Sequence, residues 1–498
     1  MTQSLNPEPR SGTPDQPTLA KDLSPFTLFA VAFGFVSIAT GIFTAYGSVL
    51  LTSGPLGMWT WPIVVVGQLA VALIFGSLAA RVPVTGYAYQ WVSRLANPVL
   101  GWIMGWVSFM FLGVVVVAVD YTIASAILPV LFGYVGTAAN AWAITAVVIM
   151  LQALLVALST HATQKVNNTA VTIQLTGMIL LVVLLFAVGI ATGQFDVANL
   201  FTKADIPAES YFGLGSLTQV SPWALGFLIG AFTIVGFESA ANLAEETRDP
   251  ARVVPRAMWQ AVLTLGIIGF LFIVAVTGLA GDPVGLAQSA TPVADIIQGV
   301  LGSFVGKALL VLVVISIFSC GLVITLSGSR LVWAMSRDER FPGWKAWRKI
   351  NPNRGTPMNA TFFMFAIGQI VLGVFSFRTD ALFALFSAAT LLPACIYAGT
   401  VLLYIVKRKQ LPPTRGFSLG RWEIPVLVVA VVWLVWELAI FRDESFRASW
   451  AYVFVMLAIG AVYFSFLLKK KGVEGLTMPD MASIDSALDE LPQESRRH

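Results

Sequence analysis

Twelve stretches of this chain are long and apolar enough to cross a lipid bilayer, and nothing else narrows its possible folds as much. A spanning helix needs about 20 mostly apolar residues. Such runs occur near residues 26–51, 59–80, 99–129, 139–159, 170–192 and 221–244. Six more follow near 257–280, 302–328, 358–377, 380–405, 424–441 and 450–469. The ninth and tenth nearly touch, which leaves a count of eleven open. Within a bilayer the backbone must satisfy its own hydrogen bonds, so these runs are helices. Composition agrees. Of 498 residues, 57% are hydrophobic and 11% charged, against roughly 25% charged in ordinary soluble domains. The expected class is an all-α integral membrane protein with about 12 transmembrane helices.

Several functions are disfavoured at once. The net charge of +4 lies between apolar runs, which suits a membrane protein and not a nucleic-acid partner. Cys320 and Cys395 both sit inside apolar runs, so no disulfide framework is expected. The histidines are His161 in a short loop and His498 at the terminus, which argues against a histidine-based metal or catalytic site. No sequence of the form G-x-x-x-x-G-K-[ST] is present to bind ATP. No enzyme activity, cofactor or firmly bound metal is therefore expected. A channel would favour rings of carbonyls or charges, and no filter-like segment is visible.

Orientation follows from Lys and Arg, which accumulate on the cytoplasmic side. Of the 30, all but Lys203, Lys307, Arg378, Arg442 and Arg447 fall on the side that holds both ends of the chain. Both termini are therefore expected in the cytoplasm. Residues 1–25 are polar and contain proline without an apolar core, which predicts a disordered tail and no signal peptide. Residues 471–498 read as a second cytoplasmic tail.

Two spans carry small and polar residues at mid-membrane. The first reads Phe33-Gly34-Phe35-Val36-Ser37-Ile38-Ala39-Thr40-Gly41-Ile42-Phe43, and the sixth Gly230-Ala231-Phe232-Thr233-Ile234-Val235-Gly236-Phe237-Glu238-Ser239-Ala240. Glycine costs a helix interior about 1 kcal/mol relative to alanine. A break at this depth is tolerated where freed backbone groups line a cavity or ligand. Two such segments five spans apart point to an inverted-repeat transporter with its site at the midplane. Close helix packing is the alternative use of small residues.

At these residues the chain resembles the amino acid–polyamine–organocation permeases, and within them the branch of amino acid, 4-aminobutyrate and choline carriers. Four stretches carry the likeness: Ala39-Thr40-Gly41-Ile42-Phe43; Pro83-Val84-Thr85-Gly86-Tyr87-Ala88-Tyr89-Gln90-Trp91; Gly236-Phe237-Glu238-Ser239-Ala240 with Ala244-Glu245-Glu246-Thr247-Arg248-Asp249-Pro250; and Arg337-Asp338 with Phe341-Pro342 and Thr356-Pro357. Their order and spacing agree over roughly residues 23–470. The resemblance implies a 5+5 inverted repeat over 26–405, two additional helices over 406–470, and a substrate held among the first, third, sixth, eighth and tenth helices. It further implies a symporter or exchanger for an amino acid or related amine such as 4-aminobutyrate, with a choline or polyamine carrier as the alternative. Its partners would be that small molecule and the lipid bilayer; the oligomeric state stays open. Some relatives place a lysine in the fifth helix where a sodium ion would otherwise sit. The matching position here is Gln174, which cannot titrate, so the coupling ion, H+ or Na+, also stays open.

The chemistry of the candidates follows from residue type. A half-helix starting in the first break would aim its amides at a substrate carboxylate. The expected donors are the N–H groups of Thr40, Gly41 and Ile42, next to Ala39, with Gly41 letting an anion approach. Carbonyls near Thr233, Ile234 and Gly236, with Glu238, would receive an amine. The family likeness makes Phe232 a lid, against plain packing. Carboxylates within spans are costly and default to function. Glu238 is expected in a substrate, proton or gating role, and Asp120 either beside the substrate or as a hydrogen-bonded structural group. Glu437 reads as a satisfied charge near a helix end. Ser316 and Ser319 share a helix face and are candidates for sodium or for bonding back to their own helix. Glu245 and Glu246, grouped with Arg248, Asp249, Arg252 and Arg256, read as an inner gate or a solvated loop.

Overall fold

The computed structural model describes residues 23–472 and 476, apart from 208, 290, 353, 376–380 and 415. Most of both expected tails, and the loop residue Arg378, lie outside the described residues. Among the described residues twelve helices are long and apolar enough to cross a membrane: α1 Pro25–Ser53, α2 Pro55–Arg81, α3 Pro98–Phe132, α4 Ala138–Leu158, α5 Thr160–Ala191 and α6 Pro222–Glu246. They continue with α7 Pro250–Gly278, α8 Pro292–Arg337, α9 Met358–Phe375, α10 Leu385–Gln410, α11 Gly420–Ile440 and α12 Glu444–Lys471. The described residues form no β-strand.

Local sequence sets the helix starts. Ser24, Asn97 and Thr137 cap α1, α3 and α4 by accepting from the amides of Thr27, Leu100 and Asn140. Proline occupies the first turn of α1 and α3, where its missing N–H costs nothing. Two helices outrun their hydropathy. α5 begins at Thr160 and not near 170, because Ser159 caps it and three of its polar residues, Thr163, Asn167 and Gln174, are buried against protein. Asn167 packs on Gly34 of α1, and Gln174 bonds to Ser37. α8 bends at Gly302, whose φ of 79° only glycine adopts readily, and runs on to Arg337. Its last turns carry Ser327, Ser329, Arg330 and Ser336, all buried.

Burial locates the centre of the bundle. The apolar windows of α1 and α6 are each 89% buried, against 22% for α12. α1 and α6 are therefore the axis, while α11 and α12 are peripheral. α7 lies along α2, where Trp61 donates to the Gly266 carbonyl at 2.9 Å. Trp433 of α11 covers Gly67 of α2, and Trp106 of α3 donates to Met456 of α12 at 3.0 Å. The face with most Lys and Arg, where α1 begins and α6 ends, is called the basic face below.

Candidate functional site

Both central helices are broken. In α1 the break falls at Ser37, with φ 23° and ψ 101°, between the halves Pro25–Val36 and Ile38–Ser53. A positive φ is uncommon for a non-glycine residue and needs support. Ser37 Oγ has it, accepting from Thr40 Oγ1 at 2.8 Å, Gln174 Nε2 at 3.2 Å and the Thr40 amide at 3.4 Å. The break thus precedes the expected Ala39–Gly41 turn, and the expected free donors change with it. The Thr40 amide is capped by Ser37, and the Gly41 amide is bonded to the Ser37 carbonyl at 3.1 Å. The first-turn amides with no acceptor inside the helix are those of Ile38 and Ala39. Gly41 is not open to an anion either, since a Cβ there would collide with the Thr233 side chain of α6. It serves close packing.

In α6 the helix Leu228–Thr233 stops, Ile234 and Val235 run free of helix, and Gly236 at φ 88° starts the turn-like segment Phe237–Glu246. The Phe35 ring of α1 occupies the place of a Gly236 side chain. Tyr397 of α10 spans this break. Its hydroxyl accepts from the Gly236 amide at 2.8 Å and donates to Glu238 Oε2 at 2.7 Å. Glu238 is buried on the basic-face side of the break.

A cavity of about 160 Å³ lies in the half of the bundle away from the basic face, lined by α1, α6 and α10 with Asp443 of the α11–α12 connection and Ser445 and Phe446 at the start of α12. Of the candidates for substrate contact, Phe232 alone lines it. Its ring meets Phe386 edge-on, centroids 4.2 Å apart. Asp443 also accepts from the Val220 amide at 2.8 Å, which ties the α11–α12 connection to the start of α6.

The basic face is closed by charge. Glu246 pairs with Arg330 at 3.3 Å, both buried, and Glu245 pairs with Arg337 at 3.0 Å. Glu245 also accepts from the Thr85 amide at 3.1 Å, and the Leu23 amide donates to the Glu246 carbonyl at 3.2 Å. Tyr89 donates to Asp338 at 2.6 Å. Burial, with Asp338 beside it, pushes the Tyr89 phenol well above its ordinary range, so it stays a donor at neutral pH. The two acidic residues that end α6 therefore pair across to α8 and not with their neighbours in sequence. Asp249 meets Arg252 at the surface, while Glu245 and Glu246 reach across to α8.

The remaining candidates scatter. Asp120 is buried between α4 and α8 and does not line the cavity. Ser316 bonds back to the Leu312 carbonyl at 2.9 Å, and Ser319 to Asn167 of α5 at 2.9 Å. The described residues hold no group of three or more metal-ligating side chains. Glu437 of α11 is not a satisfied interfacial charge: it is buried, and neither carboxylate oxygen has a hydrogen-bond partner among the described residues. Sequence reasoning assigned no role to Ser37, Tyr397, Gln152 or Arg330. Ser37 stood in the first of the two mid-membrane segments already marked as unusual. A tyrosine and a glutamine within apolar runs gave no comparable signal.

Two central helices broken five spans apart, an aromatic-floored cavity on one face and a charged closure on the other define a multi-pass membrane transporter. The amino acid permease family profile matches residues 23–468, and the chain belongs to that family. It is 27% identical over 444 residues to the amino-acid permease BAT1 of Arabidopsis thaliana, covering 84% of each chain. It is 27% identical over 438 residues to the branched-chain amino acid permease BcaP of Bacillus subtilis, covering 84% of this chain and 88% of the relative. The GABA-specific permease of Saccharomyces cerevisiae is 24% identical over 423 residues, with 82% and 73% covered.

Proposed function

We propose that this chain is a secondary active transporter that moves an amino acid or related amine across the cell membrane by alternating access, with its basic face and both termini in the cytoplasm. The observation that carries the reading is the pair of breaks at Ser37 and Ile234–Gly236, set between an aromatic-floored cavity and a face closed by ion pairs. The relatives named for amino acids and for 4-aminobutyrate support the substrate class. The substrate carboxylate meets the amides of Ile38 and Ala39 at the positive end of the half-helix Ile38–Ser53. The amine meets carbonyls freed around Thr233 and Ile234, with the Glu238–Tyr397 pair holding the far side of the break in shape. Phe232 moves off Phe386 to admit the substrate. The Glu245–Arg337 and Glu246–Arg330 pairs part to release it into the cell.

Counterflow in proteoliposomes tests the carrier reading. Vesicles preloaded with unlabelled leucine or 4-aminobutyrate should take up labelled tracer faster than empty ones; equal uptake would indicate a channel or no transport. Orientation is checked by cysteines at Ser210 and Gly355. An impermeant thiol reagent should label the first from outside and the second only after permeabilisation.

A further inference from the structure

Asp120 of α3 is fully buried, and so is Gln152 of α4 beside it. Gln152 Nε2 donates to Asp120 Oδ1 at 2.8 Å and to the Phe318 carbonyl of α8 at 3.1 Å. The other oxygen of each side chain, Asp120 Oδ2 and Gln152 Oε1, accepts from no donor among the described residues. Leaving a buried polar atom unsatisfied costs about 1–3 kcal/mol, and more when it is charged. One proton removes both deficits. Placed on Oδ2, it turns that unmet acceptor into a donor on the side chain already joined to Gln152, whose Oε1 is the matching unmet acceptor, while the amide still donates to Oδ1.

Among the described residues no other group donates to either oxygen. α8 approaches through Gly321, where a Cβ would collide with both Asp120 and Gln152. α8 also presents the Cys320 thiol, which is committed to the Phe35 carbonyl at 3.0 Å. α1 presents the hydroxyls of Thr40 and Thr44, α9 carries no titratable side chain, and Tyr397 of α10 is committed to Glu238. Among the described residues no Lys, Arg or His pairs with Asp120.

A second observation marks the same turn. Directly after Thr122, α3 widens into a π-helical turn over Ile123–Ile127, a distortion that recurs at functional sites. Thr122 meets Thr44 of α1 at 3.4 Å, and Thr44 donates to the Thr40 carbonyl. On the other side, Cys320 holds the Phe35 carbonyl. The pair is thus flanked by contacts to α1 on both sides of its break at Ser37.

We infer that Asp120 and Gln152 form a proton-binding site, occupied by one proton in this conformation, that couples proton movement to substrate movement. The inference rests on the transporter reading above. The proton comes from the cavity face and forms the Oδ2–H bond. That bond breaks, releasing the same proton towards the basic face, once α1 and α8 shift and the pair opens.

The test uses the purified full chain in proteoliposomes holding a pH-sensitive dye, with leucine or 4-aminobutyrate, whichever is exchanged in counterflow. One proton per substrate gives an accumulation ratio of about tenfold per pH unit of imposed gradient. Asp120→Asn, whose amide supplies the donor permanently, should keep its Tm and lose this response, its ratio staying at one. Infrared spectra of the wild type should carry a carboxylic-acid carbonyl band at neutral pH that is missing in Asp120→Asn and shifted in Gln152→Leu. This band reads the proton without transport, so it decides the matter even if one variant fails to fold. Counterflow in the wild type without any response to the gradient overturns the proton site and leaves the carrier intact. Accumulation by Asp120→Asn that follows the gradient, or spectra lacking the Asp120 band, overturns it equally.

Discussion

The two ends of the substrate route are closed in different ways. On the basic face, four charged side chains, a tyrosine–aspartate bond and a backbone tie from Leu23 join α1, α6 and α8 to the segment after α2. On the other face the cavity floor is two rings in edge contact, Phe232 and Phe386. An aromatic pair contributes about 0.5–1.5 kcal/mol beyond its burial, whereas breaking a buried ion pair by removing one partner costs about 3–5 kcal/mol. The difference teaches that the molecule rests with the basic face shut. In the transport cycle proposed above, substrate enters by turning a ring and leaves only after several charges separate.

The largest effect should come from Arg330→Ala, which strands Glu246 as a buried, unpaired carboxylate. The basic-face closure should lose about 3–5 kcal/mol, read as a marked fall in Tm and as reaction of a cysteine placed at Leu23 with thiol reagents. An unchanged Tm and an unreactive cysteine would show that the pair does not hold the face shut.

Next comes Tyr397→Phe, which removes the acceptor of the Gly236 amide and the donor to Glu238 together. The loss should be about 1.5–3 kcal/mol, the range for a hydrogen bond to a charged group, seen as lower Tm with slower exchange. A variant with normal Tm and exchange would mean that the break in α6 keeps its shape without the tyrosine.

Phe232→Ala sharpens the comparison from the cavity side. The half-saturating substrate concentration should rise about tenfold, equivalent to 1.4 kcal/mol, with little change in Tm. A large fall in Tm instead would make the ring a packing element.

The smallest effect is expected for Glu245→Gln. This pair is partly exposed, unlike Glu246–Arg330, and should contribute about 0.2–1 kcal/mol. A loss as large as that of Arg330→Ala would erase the distinction between the two pairs.

Much of this architecture is legible in the sequence because hydropathy and charge act locally. Twelve apolar runs predict twelve spans, and a mid-membrane glycine marks the break in α6, whereas α1 breaks at Ser37, ahead of the expected Ala39–Gly41 turn. Partnership across helices was not legible. The glycine at position 41 reads equally well as room for a ligand or for Thr233, and only the crossing of α1 with α6 decides. Glu245 and Glu246 have basic neighbours in sequence, yet their partners lie some ninety residues away on α8. Gln174 was placed facing the first break by resemblance, and its amide does lie against Ser37.

Glu437 has a consequence for biogenesis. A carboxylate costs about 2.5–3.5 kcal/mol at the centre of an inserting helix and less towards its end; Glu437, in the last turn of α11, still ends buried with no hydrogen-bond donor among the described residues. The surrounding Val, Leu, Ile and Trp residues must carry this helix through the translocon. Its inward face then shelters against α2 and α10, where Trp433 covers Gly67 and the Cys395 thiol lies near the carboxylate. α2 and α10 both precede α11 in the chain, so α11 settles against neighbours already in place. A chain lacking only α10 would leave that face α2 alone to settle against, and the quality-control machinery of the membrane would meet it as an unfinished helix.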